Sequence, residues 1–210
     1  MTLEWVEPIV RWLGGLLAYT TLAMLLYGIW RGTQRKAGRT TGRTGVWLRS
    51  GWFYLITSAL FFGVCFLGWK PLPLVVTPSI RIWMLAVGSL LYFPGMFLTL
   101  WARLTLSKNY FASTGLGVQL FADHQLITSG PFAVLRHPMY AGIILAGFGS
   151  LLLYATWTTL FLACFSPLIT LRARREEMAL AAEFGKQWQE YCERVPKWIP
   201  RYLRRKTDGH

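Results

Sequence analysis

The sequence predicts an all-α integral membrane protein with about five transmembrane helices. Its N-terminus is expected outside and its C-terminus in the cytoplasm, with a cytoplasmic amphipathic helix near the C-terminal end. Three observations carry this. Hydrophobic residues make up 54% of the 210 positions and charged residues only 15%, against about 25% charged in an ordinary soluble domain. The apolar residues fall in long uninterrupted stretches of the length a bilayer demands, about 20 residues each. The basic residues flank those stretches, mostly on one side.

Five segments satisfy or approach the length requirement. The first runs about 8–30, from Pro8 to Trp30, and the second about 51–69, with Trp52 and Trp69 near its ends. The third, about 79–102, contains Pro94 and Gly95, where a kink is expected. The fourth, about 138–154, opens on Pro138, a residue suited to a first helical turn. The fifth, about 156–171, is short and contains Pro167. Trp and Tyr near several ends match aromatic belts at the two interfaces.

Orientation follows from the basic residues. Loop 31–50 carries Arg31, Arg35, Lys36, Arg39, Arg43 and Arg49 with no acid. Loop 103–137 adds Arg103, Lys108 and Arg136, and the tail from residue 172 adds ten more. Nineteen of the 22 Lys and Arg thus share one side, leaving Arg11, Lys70 and Arg81 on the other. Positive charge marks the cytoplasmic side. The Gly- and Thr-rich loop 31–50 reads as a topology signal that touches anionic lipid headgroups. The net charge of +13 does not indicate nucleic acid, because the charges border apolar segments instead of lining one soluble face.

Cys65 and Cys164 lie in apolar stretches and Cys192 near the C-terminus, with no CxxC or metal-ligand spacing. Neither a disulfide framework nor a metal site is expected. Glu4 and Glu7 precede the first apolar run where a cleaved signal peptide would be basic, so that run reads as a retained helix.

The composition changes near residue 103, which divides the chain into 1–102, three helices with a basic loop, and 103–210. The segment 103–137 is too polar to span and too long for a structureless loop. Ser129-Gly130-Pro131 reads as a turn that delivers Arg136, His137 and Tyr140 to the mouth of the fourth span. Ionisable groups at a bilayer boundary are costly, which makes them a candidate site. Residues 172–195 read as one amphipathic helix whose packed stripe is Glu177, Ala181, Phe184, Trp188, Tyr191 and Val195. Glu176 heads the more polar neighbouring stripe. Standing alone, Glu176-Glu177 is explained equally well by an acid cluster at a helix N-terminus. Gly147-Phe148-Gly149 inside the fourth span reads as close helix packing. The chain lacks GxGxxG on a strand–turn–helix, a phosphate loop and HExxH, so any cofactor must use a membrane-embedded pocket.

The run His124-Gln125-Leu126-Ile127-Thr128-Ser129-Gly130-Pro131-Phe132 is followed by Arg136-His137-Pro138-Met139-Tyr140-Ala141-Gly142. Downstream come Glu176-Glu177, Phe184-Gly185, Tyr191 and Val195-Pro196. Together these resemble the isoprenylcysteine carboxyl methyltransferases and the related phospholipid N-methyltransferases. The resemblance covers about residues 103–200. It implies an integral-membrane methyltransferase that uses S-adenosyl-L-methionine from the cytoplasm, with 103–210 as its catalytic part. Carried over residue by residue, His137 and Tyr140 contact the cofactor and Glu176 and Glu177 form the acidic pair beside it. Arg136 or His137 suits the cofactor carboxylate. Arg172 and Glu177 match an Arg-x4-Glu spacing linked to catalysis or to the substrate carboxylate. Arg174-Arg175 stand where carboxyl methyltransferases often carry acids. The expected acceptor is a lipophilic isoprenylcysteine-like carboxylate or another small molecule entering from the bilayer, among membrane lipids. An aminolipid headgroup, a small thiol, an NADPH-dependent sterol-reductase-like activity and a lipid-binding scaffold are the other readings.

Overall fold

The computed structural model describes residues 3–34, 37–41, 51–110, 113–114, 117–121 and 124–200. Arg35, Lys36, Arg43, Arg49 and the basic residues beyond 200 lie outside the described residues. Seven α-helices dominate: α1 (Leu3–Thr33), α2 (Gly51–Leu67), α3 (Pro78–Leu106), α4 (Pro138–Tyr154), α5 (Trp157–Phe165), α6 (Ile169–Phe184) and α7 (Lys186–Arg194). Two of these, α1 and α3, hold windows long and apolar enough to cross a membrane, Trp5–Arg31 and Pro78–Leu106; Leu55–Leu67 and α4 are shorter apolar helices. The α1 window is only 11% buried, and large apolar side chains along it, Trp12 and Tyr19 among them, are exposed. A core helix of a water-soluble protein would cover that surface. The protein is an integral membrane protein.

The centre is the α3–α4 pair, which approaches at backbone distance. A Cβ on Gly142 would stand 2.5 Å from the Gly95 carbonyl oxygen, and one on Gly149 would stand 2.5 Å from the Tyr92 nitrogen. Small residues allow such proximity where lipid supplies no hydrophobic drive between helices. Gly149 therefore serves packing, as its GxG context suggests. The α3 helix starts at Thr77, whose hydroxyl accepts from the Ile80 N–H at 3.4 Å. It continues unbroken through Pro94.

At one end of the bundle, Arg81 of α3 donates to Glu7 of α1 (2.5 Å) and to the Leu152 and Leu153 carbonyls of α4 (3.1 and 2.8 Å). Arg11 adds a bond to the Leu153 carbonyl at 3.0 Å. The loop after α2 docks on the α4–α5 turn, with the Leu72 N–H on the Ala155 carbonyl at 2.7 Å. At the opposite end Arg103 of α3 lies against Gly28 of α1 and over the Tyr110 ring. The α1 and α3 helices therefore run parallel, and α4 runs against them.

Two expectations change and a third holds. The fifth apolar segment is not one α-helix: α5 stops at Phe165, a 3-10 turn over Ser166–Leu168 contains Pro167, and α6 follows. Pro167 lacks the N–H a continuous helix needs. The amphipathic helix 172–195 is two helices, because Gly185 takes φ +50°, a left-handed value at which glycine ends a helix at little cost. Segment 103–137, too long for a structureless loop, carries secondary structure of its own. A three-stranded antiparallel sheet forms in the order β1–β3–β2, from β1 (Ala37–Thr41), β2 (Ser113–Thr114) and β3 (Gly117–Phe121). It joins the basic loop to the segment that leads to the fourth span.

Candidate active site

Pro131 and Phe132 are buried in a 3-10 turn over Gly130–Ala133, with Gly130 at φ +59°. That turn places Arg136 and His137 immediately before α4, and Tyr140 falls in its first turn. The chain leaving α7 folds back onto them. The Arg136 N–H donates to the Pro196 carbonyl at 2.9 Å, and the Tyr191 hydroxyl donates to the Phe132 carbonyl at 2.7 Å. His137 stacks on Tyr140, with ring centroids 5.7 Å apart and planes 7° apart, and Trp198 covers it at 5.2 Å.

The two adjacent carboxylates meet different partners. Glu177 is the centre of an ionic knot. Its Oε1 lies 3.0 Å from Arg136 and accepts from His137 Nε2 at 3.0 Å, and its Oε2 accepts from Lys197 at 2.6 Å. Burial pushes this carboxyl up. Hydrogen bonds from His137 and Lys197, with the charges of His137 and Arg136, outweigh burial and hold it at about 2. Glu176 is buried and accepts from the Tyr140 hydroxyl. Arg172 lies 3.5 Å from the same carboxylate oxygen and faces the Tyr140 ring at 5.8 Å. Arg136, His137, Tyr140, Arg172, Glu176 and Glu177 thus form one contiguous cluster at the α4 mouth.

The expected division of the acidic pair is corrected. Glu176, assigned to the polar stripe, is the more buried of the two and faces the cavity; Glu177 stands beside it, tied to basic groups. The stripe was counted through Gly185, but the chain breaks there. Within α6 the inward positions are Ala173, Glu176 and Ala179, and after the break they are Trp188, Tyr191 and Val195.

Lys197 and Trp198 are the residues that reasoning on sequence passed over. The available signal was Val195-Pro196, which ends the helix and turns a cation and an aromatic ring back towards the preceding elements. His124 lines the same small cavity and packs near Phe184, with ring centroids 6.1 Å apart.

That cavity, of about 80 Å³, is bounded by Ile127, Phe132, His137, Tyr140, Glu176 and Trp188, among others. Its chemistry suits a sulfonium amino acid joined to a nucleoside: a carboxylate for an ammonium or a ribose diol, Arg136 for a carboxylate, and aromatic faces for a base. Arg136 Nε is buried without a hydrogen-bond partner among the described residues. The volume is below the ~300 Å³ at which small-molecule pockets begin, so a ligand of that size requires the cavity walls to part.

The family model described as phospholipid methyltransferase matches residues 83–187, half of the chain. The chain belongs to the phospholipid methyltransferase family. Among individual relatives, protein-S-isoprenylcysteine O-methyltransferase of Schizosaccharomyces pombe is 34% identical over 80 residues, 37% of this chain and 34% of that one. Methanethiol S-methyltransferase 2 of Bradyrhizobium diazoefficiens is 30% identical over 169 residues, 74% of this chain and 61% of that one. Delta(14)-sterol reductase of Mus musculus is 36% identical over 87 residues, 38% of this chain and 20% of that one. The chain thus spans between a fifth and about three fifths of the length of these relatives.

Proposed function

We propose that the protein is an integral-membrane methyltransferase dependent on S-adenosyl-L-methionine, with five spans, the N-terminus outside and the site facing the cytoplasm. Residues 103–210 form the catalytic part and 1–102 the membrane support. One observation carries the reading: the Arg136-His137-Pro138-Met139-Tyr140 segment and the Glu176-Glu177 pair interlock side chain to side chain across 40 residues of chain.

In this reading Glu176 and Tyr140 face the cofactor, Arg136 and His137 flank it, and Glu177 holds those two and Lys197 in place. The cofactor supplies an electrophilic methyl group on sulfur. The acceptor is a lipophilic carboxylate of isoprenylcysteine type, turned towards Arg172, whose guanidinium matches a carboxylate. With that cofactor bound, methyl transfer would form a C–O bond to the acceptor as the donor's C–S bond broke, the electron pair remaining on sulfur. Both opposite charges vanish in that step, so a site screened from water favours it, and alignment supplies most of the acceleration. A carboxylate acceptor needs no general base. Two further readings have specific support: N-methylation of an aminolipid, from the family model, and S-methylation of a small thiol, from the bacterial relative that matches most of this chain.

Calorimetry on detergent-solubilised protein tests the class. S-adenosylhomocysteine is expected to bind and NADPH not. Binding of NADPH alone would transfer the site to the reductase side of the relatives. Transfer of radiolabelled methyl to a prenylcysteine acid, a phosphatidylethanolamine or methanethiol then ranks the acceptors.

A further inference from the structure

A second cavity among the described residues is larger than the one at Glu176. About 1240 Å³ lies between α1 on one side and α3, α4 and α5 on the other. The α1 helix is fastened at its two ends and stands away from the bundle between them. At one end, Glu7 and Arg11 are tied to Arg81 and the α4 carbonyls, while Tyr92 and Tyr154 donate to the Gly14 and Arg11 carbonyls at 2.7 Å each. At the other, Leu25 and Ile29 pack against the cluster that contains Tyr140 and Ala173. From residue 7 to residue 25 a helix rises about 27 Å, close to the ~30 Å of a hydrocarbon core.

The wall is apolar in effect even where hydroxyls occur. Thr21 donates to the Leu17 carbonyl (2.7 Å), Thr99 to Gly95 (2.9 Å), Ser150 to Gly147 (2.7 Å), Thr159 to Thr156 (2.9 Å) and Ser166 to Ala163 (3.3 Å). Each hydroxyl hydrogen is used by its own helix or helix end, so the wall offers little to water or to a polar ligand. The near end is formed by Leu25, Ile143 and Ile169. Ile143 lies three residues beyond Tyr140 on α4, and Ile169 three before Arg172 on α6, so the cavity ends directly beneath the candidate site. The far end is closed by the Glu7–Arg11–Arg81 ionic cluster. The rim between carries exposed Trp12, Tyr19, Phe61 and Phe165, open to lipid.

We propose that this cavity holds the single hydrocarbon chain of the methyl acceptor, and that the Glu7–Arg11–Arg81 cluster is the floor that sets the longest chain it accommodates. The proposal rests on the methyltransferase reading for the identity of the acceptor. A linear chain fits an apolar cavity whose one polar boundary lies a bilayer's depth from the reacting group, and a chain that reached the floor would meet charges already paired to one another and to α4. An ordinary membrane lipid, by contrast, has no reason to stop at a fixed length.

Gly15 provides the test. It lines the cavity near the floor, and a Cβ there meets nothing within 4 Å, so a side chain at this position enters the slot without displacing the bundle. Binding of S-alkylcysteine acids with five-, fifteen-, twenty-five- and thirty-five-carbon isoprenoid tails is measured on nanodisc-embedded protein by displacement of a radiolabelled fifteen-carbon analogue. Affinity is expected to rise roughly tenfold or more with length, then to level off. Gly15→Phe, and Gly15→Leu as the milder variant, move the plateau to shorter chains and weaken the longest acid tenfold or more, while binding of the five-carbon acid and of S-adenosylhomocysteine stays within twofold of wild type. Length-independent binding in the wild type, or an unchanged plateau in a Gly15 variant that keeps its S-adenosylhomocysteine affinity, overturns the proposal. Failure of the wild type to bind S-adenosylhomocysteine would defeat the methyltransferase reading instead, and the length profile would still decide the role of the cavity.

Discussion

Glu177 shows how one side chain can organise the site without lining its cavity. Three basic or imidazole groups converge on its two oxygens, and the carboxyl is held at about 2 against an ordinary 4.5. A folded-state value below the unfolded one means that the group stabilises the fold above the ordinary value. That contribution is lost as pH falls from about 4.5 through about 2. Glu177 is partly exposed, so solvent screening reduces its effect to about 2 kcal/mol. Glu177→Gln is therefore expected to lower stability by about that amount at neutral pH, because Arg136, His137 and Lys197 lose their common anion. The gap to wild type is expected to narrow as pH approaches about 3. Denaturant unfolding at successive pH steps measures this, and a gap that stays constant between about pH 5 and 3 would rule out the carboxylate charge as its source. The pair itself was legible in the sequence, since two adjacent acids after a membrane hairpin have few explanations. Which of them faces inward was not. That depends on the backbone rotation of α6, and the sequence pattern used to infer it extended across Gly185, where the helix ends.

Among the elements, the α3–α4 pair determines whether the site exists at all, because α3 supports the face of α4 opposite Arg172 and Glu176. Its contact is glycine against backbone. A Cβ on Gly142 would stand 2.5 Å from both the Gly95 oxygen and the Thr99 hydroxyl, and neither belongs to a flexible tip. Gly142→Ala is thus expected to cost about 1–3 kcal/mol by overpacking. Gly63→Ala on α2, with nothing within 4 Å of the new atom, is expected to be neutral or slightly stabilising, since alanine favours helix by about 1 kcal/mol over glycine. Thermal unfolding of the solubilised variants compares the two. Equal melting would mean that α3 and α4 are free to separate at Gly142. The apolar helices α1 to α4 were readable from apolar length, two of them long enough to span, and α4 begins at Pro138 as its residue type favoured. The last apolar segment was read as one span despite Pro167, because a short apolar run can be one tilted helix or two short ones and composition does not distinguish them. The small sheet was not legible. Its strands are separated by some 70 residues, and the Gly- and Thr-rich segment 37–41 carries no alternating apolar pattern.

Across the whole molecule, packing fixes the relative direction of the helices, and the proposed absolute direction rests on charge. Glu7, Arg81 and Leu153 meet at one end, and Gly28 and Arg103 meet at the other. The α1 and α3 helices must therefore cross in the same direction and α4 in the other, whichever leaflet is inner. On the proposed orientation, the bias of basic residues towards loop 31–50, loop 103–137 and the tail from residue 172 puts the Arg103 end, and with it the Glu176–Tyr140 cavity, on the cytoplasmic side. Two exposed positions test this separately from the chemistry. Val75 lies in the loop before α3 and Lys186 at the start of α7, and both side chains are exposed. In a background with Cys65, Cys164 and Cys192 replaced, Val75→Cys is expected to react with a membrane-impermeant maleimide in intact cells. Lys186→Cys is expected to react only after lysis. The reverse pattern would invert the protein and place the site on the outer face, away from a cytoplasmic methyl donor, with the side-chain geometry unchanged. Labelling of both in intact cells would break the antiparallel relation of α3 to the α5–α6 return. Only the expected pattern leaves a cytoplasmic cofactor and a bilayer-borne acceptor approaching the same cluster from opposite sides.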